Sequence, residues 1–271
     1  MSKRSILTQL ALTAALAGGL ATDAAAVLAQ RTFVASTGSD AAVCSLAFPC
    51  RSFGVAIAQT LSGGEVIVLD SAGYGPATIG QPVSIIAPPG IYAGVSVFSG
   101  AGLTVNAPGG KVTLRGLTIN SLGGTTGISF VAGSALYIDN VVVTNFPTAG
   151  LAAGVSANSS LFLSNSTFHD NGVGAVFGAS SGLLTVSVES TIFARNTIGV
   201  FFQDSTVGTV HLSTMSGGGT GVMVAPPTAL VVVGEIASSS SGTNHGRNGR
   251  ATRPPSSNPF CSSGWAGASS I

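Results

Sequence analysis

A glycine followed by an apolar residue returns at near-constant spacing through the middle of this chain. The pairs are Gly127-Ile128, Gly150-Leu151, Gly174-Ala175, Gly199-Val200 and Gly221-Val222, at intervals of 23, 24, 25 and 22 residues. A second register runs ahead of the first, with Gly116, Asn140, Asn165 and Ser190 separated by 24, 25 and 25 residues. A fixed period of this length marks a repeat architecture, in which one unit cannot bury its own apolar face and gains a core only by stacking on its neighbours. Apolar residues keep the same register. Leu114/Ile138/Leu163/Val188 stand two residues before the second register and Ile119/Val143/Phe168/Phe193 three after it, while Phe130/Ala153/Phe177/Phe202 follow each repeating glycine by three. These columns are expected to point inward. Between them, short alternating runs are separated by Gly, Asn and Ser, residues that accept positive φ or bond their own backbone where a strand turns a corner.

Strands of this kind, stacked about 4.8 Å apart, pair with the coil above and the coil below and form a parallel β-helix. Other repeats of similar period fit poorly: a leucine-rich repeat needs its own Leu/Asn consensus and a helical segment, and a propeller blade is about twice as long. Composition agrees, since 38 glycines and only 7% charged residues suit tight-turned strands better than helices with charged outer faces. The open end of such a stack needs a cap. The stretch from Ser52 to Leu61 supplies one, with Phe53, Ile57 and Leu61 on one helical face, Ser52 as N-cap and Gly63-Gly64 as the stop. A strand at Thr32 to Ala35 precedes it, and the coils then open at Glu65 to Leu69, Val83 to Ile86 and Val95 to Phe98.

Three regions result. Residues 1–29 read as a secretory signal peptide, with Lys3 and Arg4 ahead of an Ala/Leu-rich run too short to span a bilayer. Residues 30–236 carry the solenoid, and 237–271 form a Ser/Arg-rich tail, expected to be disordered, that holds Cys261 without an evident partner. Export places the mature chain in the periplasm, at the cell surface or outside the cell, with no transmembrane segment. There Cys44 and Cys50 are predicted to form a disulfide; two free thiols are the alternative, and zinc lacks a second Cys/His pair at ligand spacing. A formal net charge of +1 without a basic stripe excludes the footprint of a nucleic-acid binder.

The opening Thr32-Phe33-Val34-Ala35-Ser36-Thr37-Gly38-Ser39-Asp40, then Pro49-Cys50-Arg51-Ser52-Phe53 and Gly64-Glu65-Val66-Ile67-Val68-Leu69, resembles the start of secreted right-handed β-helix proteins of the pectate-lyase-like superfamily. With the coils, the resemblance covers residues 31 to 236. It implies an all-β fold, a right-handed parallel β-helix solenoid with a short N-terminal capping helix. Function follows far less directly, because the superfamily includes polysaccharide lyases, glycoside hydrolases, epimerases, phage tailspikes and adhesins.

Two polar sets align across the coils. Arg115, Asp139, Ser164 and Glu189 stand directly before the second register. Asp139 and Glu189 would lie two coils apart, about 10 Å, just beyond the ~6.5–9.5 Å of an inverting glycosidase. The second set gathers Asn145, His169, Asp170 and Arg195 at a turn, with Asp170 and Arg195 in equivalent positions and Asn171 and Asn196 stacked beside them. A lyase needs a base and a cation to neutralise a uronate, and His169, Asp170 and Arg195 are the candidates for such a role. Arg115, Asp139, Glu189 and Asn145 are candidates for binding. His211 and His245 stand apart from both sets. Only nine Asp and Glu occur, with no Asp-Asp pair and no Asn-Thr-Asp, Gly-His-Gly or Arg-Ile-Lys motif of polygalacturonases; one Asp170 also falls short of a calcium site. The leading expectation is therefore a non-catalytic, cofactor-free protein that presents a long face to an extended polysaccharide or serves structurally. A degenerate polysaccharide lyase or glycoside hydrolase is the alternative.

Overall fold

The structure, a computed structural model, describes residues 28–225, 230–238 and 245–246. The signal assigned to 1–29, the tail assigned to 237–271 and Cys261 fall almost wholly outside the described residues. The chain winds as a right-handed parallel β-solenoid. Successive coils feed three parallel sheets, called here A, B and C, with nine, eight and eight strands among the described residues. Lys111–Arg115, Ala135–Asp139, Ser159–Ser164, Leu184–Glu189 and Thr206–His211 are consecutive rungs of sheet A. Sheet B is narrower, with three-residue rungs such as Val142–Thr144, Thr167–His169 and Ile192–Ala194.

The three predicted columns pair in register and point inward. Leu114, Ile138, Leu163 and Val188 are neighbours along sheet A, Ile119, Val143, Phe168 and Phe193 along sheet B, and Phe130, Ala153, Phe177 and Phe202 along sheet C. All twelve are buried; Phe168 stacks on Phe193 with ring centroids 5.5 Å apart, and Phe177 meets Phe202 at a tilt. Fully burying a side chain of this size contributes roughly 1.5–3 kcal/mol, so the repeated columns are the main source of cohesion.

The two registers differ in purpose. Gly116, Asn140, Asn165 and Ser190 all have left-handed backbone, φ 74°, 53°, 49° and 49°, and turn the chain from sheet A into sheet B. The recurring glycines do not serve as bends. Gly127, Gly150, Gly174 and Gly199 lie inside sheet C strands and are absent from the positive-φ positions. A Cβ on Gly174 would sit 2.4 Å from the Gly199 carbonyl oxygen and 2.7 Å from the Phe193 ring, and the other three meet the same obstruction. The column is glycine because the carbonyl of the next coil and the inward side chains of sheet B, Val143, Phe168, Phe193 and Met215, leave no room for a side chain.

The N-terminal end is closed as the spacing predicts, with one difference. The helix runs Phe53–Gln59, Ser52 caps it by accepting from the Val55 N–H, and Phe53, Ala56 and Ile57 are buried. Leu61 does not join that face, because the chain leaves the helix at Thr60 directly into the strand Thr60–Val68. Gly63-Gly64 therefore sit in that strand, and a Cβ on Gly64 would come within 2.4 Å of the Gln30 carbonyl oxygen. Cys44 and Cys50 form the disulfide, and their backbones bond both polar groups of Phe33 in the first strand, Ala29–Val34. Closing so short a loop contributes about 2 kcal/mol.

Candidate functional site

The turn from sheet B to sheet C holds one polar cluster. Asn145, Asp170, Arg195 and Gly217 occupy equivalent corners of four coils, with φ of 68°, 58°, 55° and 65°. The shared left-handed backbone aligns the Asp170 and Arg195 side chains. Arg195 donates Nε–H to Asp170 Oδ1 and Nη2–H to Oδ2, both at 2.7 Å. His169 Nδ1 lies 2.6 Å from Oδ2, so that nitrogen carries the proton it donates to the carboxylate. Thr144 Oγ1 also reaches Nδ1, at 3.1 Å. The Arg195 guanidinium first, and His169 second, hold the Asp170 carboxyl far below the usual carboxylate range, while Asp170 raises Arg195 in return. Asn145 does not join them, because its amide donates to Asn120 Oδ1 at 2.7 Å. Beneath the cluster, buried Asn171 and Asn196 form the expected ladder. Asn171 accepts from the Phe146 N–H, Asn196 accepts from the Asn171 N–H, and their amides donate to Val143 and Phe168 carbonyls. With both Asp170 oxygens engaged by a guanidinium and an imidazole, the carboxyl is ionised at neutral pH and poorly placed to move a proton.

The second cluster lies on the outer face of sheet A. Register pairing sets Arg115, Asp139, Ser164, Glu189 and His211 in one row across five strands. His211, which stands apart in the sequence, is thus the next rung after Glu189. Arg115 Nε donates to Asp139 Oδ2 at 2.9 Å, while Oδ1 accepts from Asn165 at 2.9 Å and Ser164 at 3.1 Å. The Asn165 amide, then Ser164 and Arg115, lower the Asp139 carboxyl from its ordinary value. Asp139 and Glu189 are two strands apart, about 10 Å. Glu189 is exposed, and its carboxylate makes no hydrogen bond or ion pair among the described residues, while its backbone carbonyl accepts from the Asn165 N–H and the Thr191 hydroxyl.

Beside this row stands a feature that the sequence reading passed over. Tyr137 and Phe162 are register partners on adjacent strands, with ring centroids 4.8 Å apart and planes only 7° from parallel. They are 36% and 41% exposed. Their neighbours in the same outward row are small and hydroxylated: Thr113 beyond Tyr137, and Ser187 then Thr209 beyond Phe162. An open depression of about 290 Å³, lined by Ser134, Asn158, Ser159, Ser160, Leu183 and Thr185, adjoins the Phe162 side. The signal was available, because Tyr137 and Phe162 immediately precede the inward Ile138 and Leu163. Strand alternation therefore assigns both rings to the outside.

Residues 100–249 match the family model described as right handed beta helix region. The chain belongs to this family. A search of curated proteins returns no match. Among solved structures, the crystal structure of pectate lyase Pel9A is similar at 11% identity, covering 81% of this chain and 79% of that one, with a TM-score of 0.32. At that level the likeness bears on neither activity nor substrate. Among the described residues of this β-helix, no three His, Cys, Asp or Glu side chains converge to hold a metal ion. No described helix is long and apolar enough to cross a membrane.

Proposed function

We propose that this β-helix binds an extended carbohydrate on the outer face of sheet A without cleaving it, outside the cytoplasm. The observation that carries the reading is the solvent-exposed, parallel Tyr137–Phe162 stack standing in a row of Ser and Thr. Aromatic faces suit the C–H face of a sugar ring, and surrounding hydroxyls suit its polar edge. A single anchored patch beside a row of short polar side chains matches a long, weakly charged ligand better than a small enclosed one. The carboxylates argue in the same direction. Asp139 and Asp170 are both consumed by arginine and by further donors, and neither can serve as the raised-pKa acid that glycoside cleavage needs. The Cys44–Cys50 disulfide fits an oxidising compartment, in keeping with a signal peptide at residues 1–29.

Electrophoresis through gels containing soluble polysaccharides tests the reading. Retardation of the wild type by at least one polysaccharide, lost when Tyr137 and Phe162 are both replaced by Ala, is the expected result. Unretarded migration in every gel would overturn it. Release of unsaturated products or new reducing ends from any polysaccharide would refute the non-cleaving half. The Asp170→Ala/Arg195→Ala variant would then show whether the His169, Asp170 and Arg195 corner is responsible.

A further inference from the structure

We infer that the carbohydrate is held at a ledge on one side of the aromatic stack, against the free face of Phe162, and that this ledge takes a neutral hexopyranose rather than a uronate. The inference rests on the carbohydrate reading above and adds a position and a ligand class. Tyr137 and Phe162 are neighbours along the solenoid axis with nearly parallel planes, so their ring faces look along that axis. One face of Phe162 is covered by Tyr137. The other looks out over the strand Leu184–Glu189, whose outward residues are Thr185, Ser187 and Glu189. Ser187 lies directly opposite Phe162, and its small side chain leaves the ring face open. Thr209, the next residue in the row, donates to Ser187 Oγ at 3.5 Å and continues the hydroxylated floor. The ledge runs into the open depression through Ser160 and Thr185, which adds space for neighbouring sugar units.

The opposite face of the stack is less open. Tyr137 looks onto Thr113, a branched residue, between Lys111 and Arg115 on the same strand. Arg115 reaches across to Asp139, two residues along from Thr113 and Tyr137.

Charge selects the ligand class. Glu189 borders the ledge as an exposed carboxylate without an ion pair among the described residues, and Asp139 stands two strands away. Of the two cations flanking Thr113, Arg115 is committed to Asp139, and Lys111 lies two strands from Phe162, on the Tyr137 side of the stack. His211 follows Glu189 on the next strand, but its ring lies over Gly234 of the following coil, turned from the ledge. A polyuronate laid on Phe162 would bring its carboxylates to Glu189, and the strands Leu184–Glu189 and Thr206–His211 on that side carry no Lys or Arg to receive them. A neutral sugar meets only hydroxyls and the ring face.

Affinity gels with galactomannan, xyloglucan and mixed-linkage β-glucan as neutral probes, and polygalacturonate as the anionic one, test this. The wild type should be retarded by at least one neutral probe and bind polygalacturonate at least tenfold more weakly. Ser187→Phe should abolish retardation by filling the ledge while leaving Tyr137 and Phe162 in place, with an unchanged melting temperature as the check on folding. Glu189→Lys should gain retardation in polygalacturonate. The inference is overturned, with the carbohydrate reading intact, if the wild type prefers polygalacturonate in a Phe162-dependent way. It is equally overturned if Ser187→Phe still binds while Thr113→Phe does not. Failure of every gel to retard the wild type removes the carbohydrate reading itself.

Discussion

The corner around Asp170 and the wall around Phe162 hold similar inventories, an Arg–Asp pair, a histidine and several hydroxyls, yet the chemistry left over differs. At the corner, left-handed backbone at Asp170 and Arg195 brings the two charges together, and Arg195 and His169 occupy both carboxylate oxygens. On the wall, Arg115 and Asp139 satisfy each other, but Glu189 and the face of Phe162 stay unengaged. Density of polar residues is thus a poor guide to function in a solenoid. The informative quantity is what remains unsatisfied once neighbouring coils have paired.

Substitutions in the two regions should separate stability from binding. Asp170→Ala removes the acceptor for Arg195 and His169 and places an alanine in left-handed backbone. The ion pair is solvent-screened, so most of the expected loss of about 1–2 kcal/mol comes from the backbone and the lost hydrogen bonds. Thermal unfolding should fall by roughly 2–8 °C for a chain of this size, with carbohydrate retardation unchanged. Asp170→Asn, which tolerates the left-handed conformation, should recover most of that loss. Phe162→Ala should show the reverse, with binding lost and melting temperature nearly unchanged. Loss of carbohydrate retardation in Asp170→Ala would erase the distinction drawn between corner and wall.

Acid should separate the regions again, by a smaller effect. Asp170 and Asp139 both titrate lower in the folded chain than their ordinary values, so each contributes stability that is complete above the unfolded carboxylate range. That contribution is lost as pH falls below about 4. Melting temperature should hold level from neutral pH to about 5 and then decline, and Asp170→Asn should flatten the decline more than Glu189→Gln. Equal acid sensitivity in the two variants would mean that the corner pair does not stabilise the fold.

Much of this was legible beforehand, and the misses share a cause. Period and alternation identified the inward columns because burial demands the same residue class at the same position in every coil. The paired corner residues followed from the same alignment. The recurring glycine was located correctly but explained wrongly, since a sequence shows that a side chain is missing and not whether the cause is a bend or a neighbour. Tyr137 and Phe162 form no repeating column, since Thr113 and Ser187 flank them at the equivalent positions, so periodicity does not mark them. His211 was missed because the coil after Glu189 is shorter by three residues, which hides its alignment.

That shortened coil also places Leu212 in the left-handed corner otherwise held by Gly116, Asn140, Asn165 and Ser190, at φ 48° and with its side chain 49% exposed. Leucine gains little there, because an exposed side chain buries little apolar surface while its Cβ crowds the backbone in this conformation. Asparagine removes that crowding at little loss of burial, as it does at the equivalent Asn140 and Asn165. Leu212→Asn should therefore raise stability by about 0.5–1 kcal/mol, read as a higher urea midpoint at an unchanged denaturant slope. Because Leu212 touches neither the Asp170 corner nor the Phe162 ledge, both carbohydrate binding and the acid response should stay as in the wild type. A midpoint that falls would show that packing by the Leu212 side chain outweighs the crowding of its backbone, and the corner would then not be the isolated backbone element its φ angle indicates.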